Sequence, residues 1–164
     1  MHIQSPITAG ISFALLIGAV GAAFAYVSAN PLDIIQVSSE PWFGFRGTPL
    51  TSRIAEASGL DPQQQGFLVA AVEGGSPSEE AGLKGGSRLT EVDGVQVCLG
   101  GDLITSVNGE PITTVQQLRD FREQSQVGDR VVLTVLRDNE QSLIPVTLGE
   151  DPHLALPPLQ DVCK

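Results

Sequence analysis

The sequence predicts a mostly β (α+β) fold, antiparallel and small, with two or three short helices, preceded by one transmembrane helix. Three observations carry this. No Asp, Glu, Lys or Arg occurs before Asp33, so all 19 acidic and 9 basic residues fall in the remainder of the 164-residue chain. Beyond that point, short aliphatic and β-branched runs alternate with Gly-containing turn dipeptides, which is strand patterning. Helix-start signals occur in only three places, each ahead of a short periodic stretch. Hydrophobic residues make up 41% of the chain, enough for a core, which excludes wholesale disorder. A net charge of −10 argues against nucleic acid as a partner, because phosphate binding needs clustered Lys and Arg.

Residues 7–29 (ITAGISFALLIGAVGAAFAYVSA) run 23 long without a charge. A hydrocarbon core about 30 Å thick needs roughly 20 apolar residues, so this stretch spans it and residues 1–30 are expected to anchor the chain. Ala23-Phe24-Ala25 supplies the competing reading, a cleaved leader with an A-x-A site. Against that, residues 1–8 contain no Lys or Arg, and the run is long for a leader. Gly10, Ala14, Gly18 and Ala22 recur every fourth residue and would let a neighbouring helix approach closely, although Ala- and Gly-rich composition alone produces such spacing. Neither flank carries a nearby Lys or Arg, so orientation is weakly signalled; the soluble part is expected on the exported side.

Residues 31–40 read as a linker, residues 41–150 as one domain and residues 151–164 as a Pro-rich tail. Within the domain, residues 41–47 (PWFGFRG) gather three aromatics around glycine. Thr48-Pro49 is expected to start a helix carrying Ile54 and Ala57 and ending at Gly59. Residues 67–72 read as a buried strand. Ser76-Pro77-Ser78-Glu79 forms a capping box with proline at the first helical position. Next, residues 85–94 (GGSRLTEVDG) and 100–109 (GGDLITSVNG) match at five of ten positions. Each closes on a tight-turn dipeptide, Asp93-Gly94 or Asn108-Gly109, so the repeat reads as a duplicated strand-turn unit with residues 95–99 as an added strand. Thr113 or Thr114 caps a helix through Gln124, with Val115, Leu118 and Phe121 on one face. Residues 130–137 and 142–148 form a strand pair around residues 138–141. Pro145 cannot donate to a ladder and places that last strand at an edge.

Catalytic and metal chemistry find no support. A nucleophile triad needs a histidine, and the two present, His2 and His153, lie before the apolar run and in the tail. Ser76 is accounted for as a helix cap. No Cys/His spacing suits a metal, and the Gly-Gly pairs lack the strand-loop-helix context of a phosphate loop, so no cofactor is expected. In an oxidising compartment Cys98 and Cys163 could pair, fixing the tail across the added strand, or they could be two unrelated buried thiols.

Taken together, these residues resemble the PDZ domain in the form found in HtrA/Deg serine proteases. The carriers, in order, are Trp42-Phe43-Gly44-Phe45, residues 75–83 (GSPSEEAGL), Gly101-Asp102-Leu103-Ile104 leading to Val107-Asn108-Gly109, the helix 115–124, and residues 133–138 (LTVLRD). The resemblance implies a partly open antiparallel barrel or sandwich that binds extended peptides, often free C-termini, by strand addition. It places Trp42, Phe43, Gly44 and Phe45 at the loop whose N–H groups receive the terminal carboxylate, with Val115, Leu118 and Arg122 as the opposite wall. The 15-residue insertion near 85–100 departs from the shorter family pattern and would either cover that groove or build a separate contact surface.

The function expected from all this is non-catalytic protein–protein contact by a single-pass inner-membrane protein with its domain in the periplasm or its equivalent. Its partners are other membrane or exported proteins, with the bilayer reached through one helix. An accessory or assembly subunit of a membrane complex is the first expectation. A peptide-binding adaptor, including a helper of a separate HtrA/Deg-type protease, is the alternative.

Overall fold

The computed structural model describes residues 40–152 and Cys163, which belong to one unit, Ser39–Lys164. The expected anchor with Gly10, Ala14, Gly18 and Ala22, the linker up to residue 39 and most of the tail lie outside the described residues. Among the described residues, no helix is long and apolar enough to cross a membrane.

The elements in chain order are β1 (Pro41–Trp42), β2 (Phe45–Pro49), α1 (Ser52–Ser58), β3 (Phe67–Val72), α2 (Pro77–Glu80), β4 (Arg88–Val92), β5 (Val95–Leu99), β6 (Leu103–Val107), β7 (Glu110–Pro111), α3 (Val115–Glu123), β8 (Arg130–Arg137), β9 (Glu140–Thr147) and β10 (Gly149–Glu150). The main sheet runs β2-β3-β6-β8-β9, all antiparallel, with β7 beside β6. The path is open, so no closed barrel forms. β1 pairs with β10, and β4 with β5, as separate two-stranded sheets.

Two hydrophobic clusters use alternate residues of the same strands and therefore occupy opposite faces of the sheet. Phe67 and Val69 of β3, Ile104 of β6 and Val131, Leu133 and Val135 of β8 join Phe43, Ile112 and Leu148 on one face. Leu68 and Leu103 turn the other way, onto Ile54, Val97 and Leu99. A register shift between Ile104 and Ser106 returns Val107 to the first face. Leu118 and Phe121 of α3 pack on the first face, whereas α1 and the β4–β5 hairpin cover the second. The insertion thus builds its own layer behind the sheet, on the side away from α3.

Two sequence expectations are corrected. Thr48 and Pro49 do not start a helix: they continue β2, opposite Leu68 and Phe67. Proline is tolerated at that strand end, and Thr51 takes the cap instead, its hydroxyl accepting from the Ile54 N–H at 3.2 Å. The last hairpin is also tighter than expected, because Asp138 and Asn139 both adopt positive φ (51° and 63°) and turn the chain in two residues. β9 is the sheet edge, as Pro145 requires. Pro145 faces Val132, whose N–H and carbonyl are both engaged by Asn108 on the other side, so no ladder bond is missing there.

An ion pair between a buried carboxylate and a part-exposed guanidinium ties the strands together. Asp102, 1% exposed, accepts from Arg137 Nε at 2.6 Å and Nη2 at 2.7 Å and from the Lys84 N–H at 2.8 Å. Arg137 Nη2 also donates to the Gly82 carbonyl at 2.8 Å. The hydrogen bond to Asp102 raises the Arg137 pKa, against the opposing pull of desolvation. Cys98 and Cys163 form a disulfide with Cα atoms 5.4 Å apart, which ties Cys163 to β5.

Candidate functional site

The connection between β1 and β2 is the pair Phe43-Gly44, and its shape follows from its neighbours. Phe43 is 3% exposed and its ring lies tilted, with its centroid 5.3 Å from that of Phe45 and 6.1 Å from that of Phe121, which roots the loop in the first core cluster. Gly44 has φ +82°, and any side chain there would collide with Ser76. Conformation and space both demand glycine at this position. Trp42 pairs with Gly149 and holds the loop from the β1–β10 side. Phe45 opens β2 opposite Val72.

The loop's carbonyls are tied down from one side. The Ser78 N–H donates to the Phe43 carbonyl at 2.9 Å, and the Glu73 N–H donates to the Gly44 carbonyl at 2.8 Å. The Phe43 and Gly44 N–H groups meet no backbone acceptor among the described residues. A run of N–H groups presented from a glycine loop is a concavity suited to an anion. Ser76, fully buried, caps α2 by accepting from the Glu79 N–H, while the Glu79 carboxylate accepts from the Gly75 N–H. This cap holds the loop that supplies both Glu73 and Ser78.

Beyond the loop, β2 has one hydrogen-bonded neighbour, β3; its other edge carries no strand among the described residues. α3 lies on the same side of the sheet as Phe45. It is capped by Thr114, with the Gln117 side chain reaching back to the cap as the sequence indicates. Leu118 and Phe121 face the core, and Val115 is 42% exposed. Arg122 is turned towards the chain's entry to β1, with Nη2 donating to the Glu40 carboxylate at 3.1 Å.

Three buried side-chain polar atoms among the described residues lack a hydrogen-bond partner: Arg46 Nε, Ser78 Oγ and Arg122 Nε. All three border the same loop. Arg46 follows Phe45, and its Nε has a long 3.5 Å ion-pair contact with the Glu73 carboxylate; Ser78 bonds Phe43 through its backbone, and Arg122 bonds Glu40 just before β1. Ser78 Oγ and Arg122 Nε thus stand beside the loop without a hydrogen-bond partner among the described residues. Sequence reasoning did not single out Glu40, Arg46 or Ser78 for this site. Only their positions beside Trp42-Phe43-Gly44-Phe45 and in the capping motif hinted at them.

Comparison with known proteins agrees with this layout. The profile of the PDZ-domain family matches residues 43–148. A probable periplasmic serine endoprotease DegP-like of Rhizobium meliloti is 29% identical over 147 residues, covering 86% of this chain and 26% of the relative. The periplasmic pH-dependent serine endoprotease DegQ of Escherichia coli is 32% identical over 148 residues, covering 85% and 29%. The chain thus spans under a third of the length of these relatives. The solved HtrA-type protease AlgW with decapeptide superposes with a TM-score of 0.55 at 21% identity, covering 70% of this chain and 30% of that one, which shows a shared fold. Element order, loop chemistry and profile agree, and the chain belongs to the PDZ-domain family, with homology to the PDZ domains of the HtrA/Deg endoproteases.

Proposed function

We propose that this chain captures extended peptide segments by strand addition to the open edge of β2, with the N–H groups of Phe43 and Gly44 receiving a terminal carboxylate. The observation that carries this reading is that Phe45 of β2 packs with Leu118 and Phe121 of α3 on one side of the sheet while the inserted hairpin is packed on the other. Val115 and Leu118 form the apolar part of the helix wall. The act is binding, with no chemistry of its own. The domain works on the exported side of a membrane to which residues 7–29 anchor it. The periplasmic relatives and the disulfide support that side, since disulfides persist in oxidising compartments. Descent shared with HtrA/Deg enzymes makes a partnership with a separate protease of that type one setting for such capture.

A second reading, an accessory subunit of a membrane complex, is favoured by the solvent face of β8–β9, where Val132 is 36% and Leu143 66% exposed. One substitution separates the two readings. Gly44→Val should weaken peptide binding by about tenfold or more, a loss near 1.4 kcal/mol, in a fluorescence titration of the full chain with a labelled C-terminal peptide. Undiminished peptide binding by a folded Gly44→Val chain would sink the capture reading. Loss of co-purifying partners on Leu143→Glu, with peptide binding intact, would support the subunit reading instead.

A further inference from the structure

We infer that the segments taken at this site are acidic; this rests on the peptide-capture reading above. The chain as a whole carries −10, yet three of its nine basic residues border the loop and its flanking elements. Val115, Arg119 and Arg122 fall at i, i+4 and i+7 on α3, one stripe of the helix. The bond from Arg122 to Glu40 shows that this stripe faces β1 and the loop. Of the helix's two acids, Asp120 accepts from Gln116 at 2.6 Å on a different, exposed side, while Glu123 follows Arg119 by one turn at the end of the helix, past the arginines. Arg46 stands on β2, where it alternates with Phe45 and so occupies the opposite face of that strand.

An extended segment beside β2 presents successive side chains to opposite faces. Those on the α3 side meet Arg119 and Arg122; those on the other side meet Arg46. Acidic residues of either parity therefore find an arginine. The protein's own carboxylates already stand where such ligand groups would sit. Glu40 engages Arg122 through a single 3.1 Å contact while 70% exposed, and Glu73 lies 3.5 Å from Arg46. Arg122 keeps a buried Nε–H without a hydrogen-bond acceptor, and Arg46 Nε has only the long 3.5 Å contact to Glu73. A ligand carboxylate can displace the solvent-exposed Glu40 and satisfy what the internal contact leaves over.

The test uses the full chain and three matched peptides ending in the same apolar residue, with Glu, Gln or Lys at the positions just before it. The Glu peptide should bind more tightly than the Gln peptide by about twofold to fivefold per arginine engaged, and the Lys peptide more weakly. The spread should shrink as salt rises. Joint Arg119→Glu and Arg122→Glu substitution should reverse the order of Glu and Lys peptides, and an unchanged order in the folded variant overturns the charge preference. Equal binding of all three peptides overturns the charge preference and leaves capture standing. Binding by none of them, at any salt concentration, overturns capture itself.

Discussion

The two copies of the strand-turn repeat begin from nearly the same ten residues and end in different environments. Residues 85–94 become β4, an exposed strand in a two-stranded hairpin; residues 100–109 become β6, the middle of the main sheet. Their turns are the same. Asp93 and Gly94 have φ of 51° and 78°, Asn108 and Gly109 have 50° and 85°. The copies diverge at the third position and at the two residues after it. Ser87-Arg88-Leu89 is exposed, with Leu89 at 52%, whereas Asp102-Leu103-Ile104 is buried to 1% at each residue. Asp102 recruits Arg137, Lys84 and the Val69 N–H, and Asn108 docks on Val132. Turn chemistry is a local property and survives duplication. Burial depends on the few side chains that find distant partners.

That contrast can be broken most directly at its third position. Asp102→Ala leaves the Lys84 N–H and the part-exposed Arg137 guanidinium without their buried acceptor and should cost about 1–3 kcal/mol in denaturant unfolding. The matching Ser87→Ala should stay within about 0.5 kcal/mol. Equal effects at the two positions would show that the ion pair does not distinguish the copies. Because Arg137's pKa is raised on folding, its contribution is fully present below the unfolded value and is lost only as pH climbs through the raised one. Stability should therefore show no loss from this pair between neutral and moderately alkaline pH.

Reducing the disulfide sharpens the comparison from the other side. Opening a cross-link across 65 residues should cost about 2–4 kcal/mol, up to the full chain-entropy value. Amide hydrogen exchange should speed up in β4 and β5 while β6 and β8 stay protected. Uniform loosening of both sheets would mean that the hairpin is not a separate layer. The smallest effect belongs to the turns. Gly94→Ala and Gly109→Ala meet no atom within 4 Å of the added carbon, so each should cost only its backbone conformation, about 1 kcal/mol. The two values should agree within a few tenths of a kcal/mol in the same unfolding assay.

The candidate site was partly legible for the same reason. The glycine loop, the Ser76 cap, the Thr114–Gln117 box and the bounds of β3 come from short-range rules, and each occurs at its expected residues. Arg122's partner could not be read, since Glu40 lies 82 positions away in sequence. Nor could the neighbouring of Arg46, Ser78 and Arg122, which come together only when β2, α2 and α3 converge. The start of α1 differs from its expected place because Pro49, a good helix opener by local rules, is held in β2 by pairing with Phe67 of β3.

By itself the sequence determined the turns, caps and strand pattern, together with the uncharged opening run, because each depends on φ/ψ preferences or polarity within a few neighbouring residues. The tertiary structure alone decided that the hairpin lies behind the sheet, that Asp102 rather than Ser87 is buried, and that Arg46 and Arg122 border one loop. Those outcomes rest on contacts between residues dozens of positions apart, and only the packed chain brings such residues together.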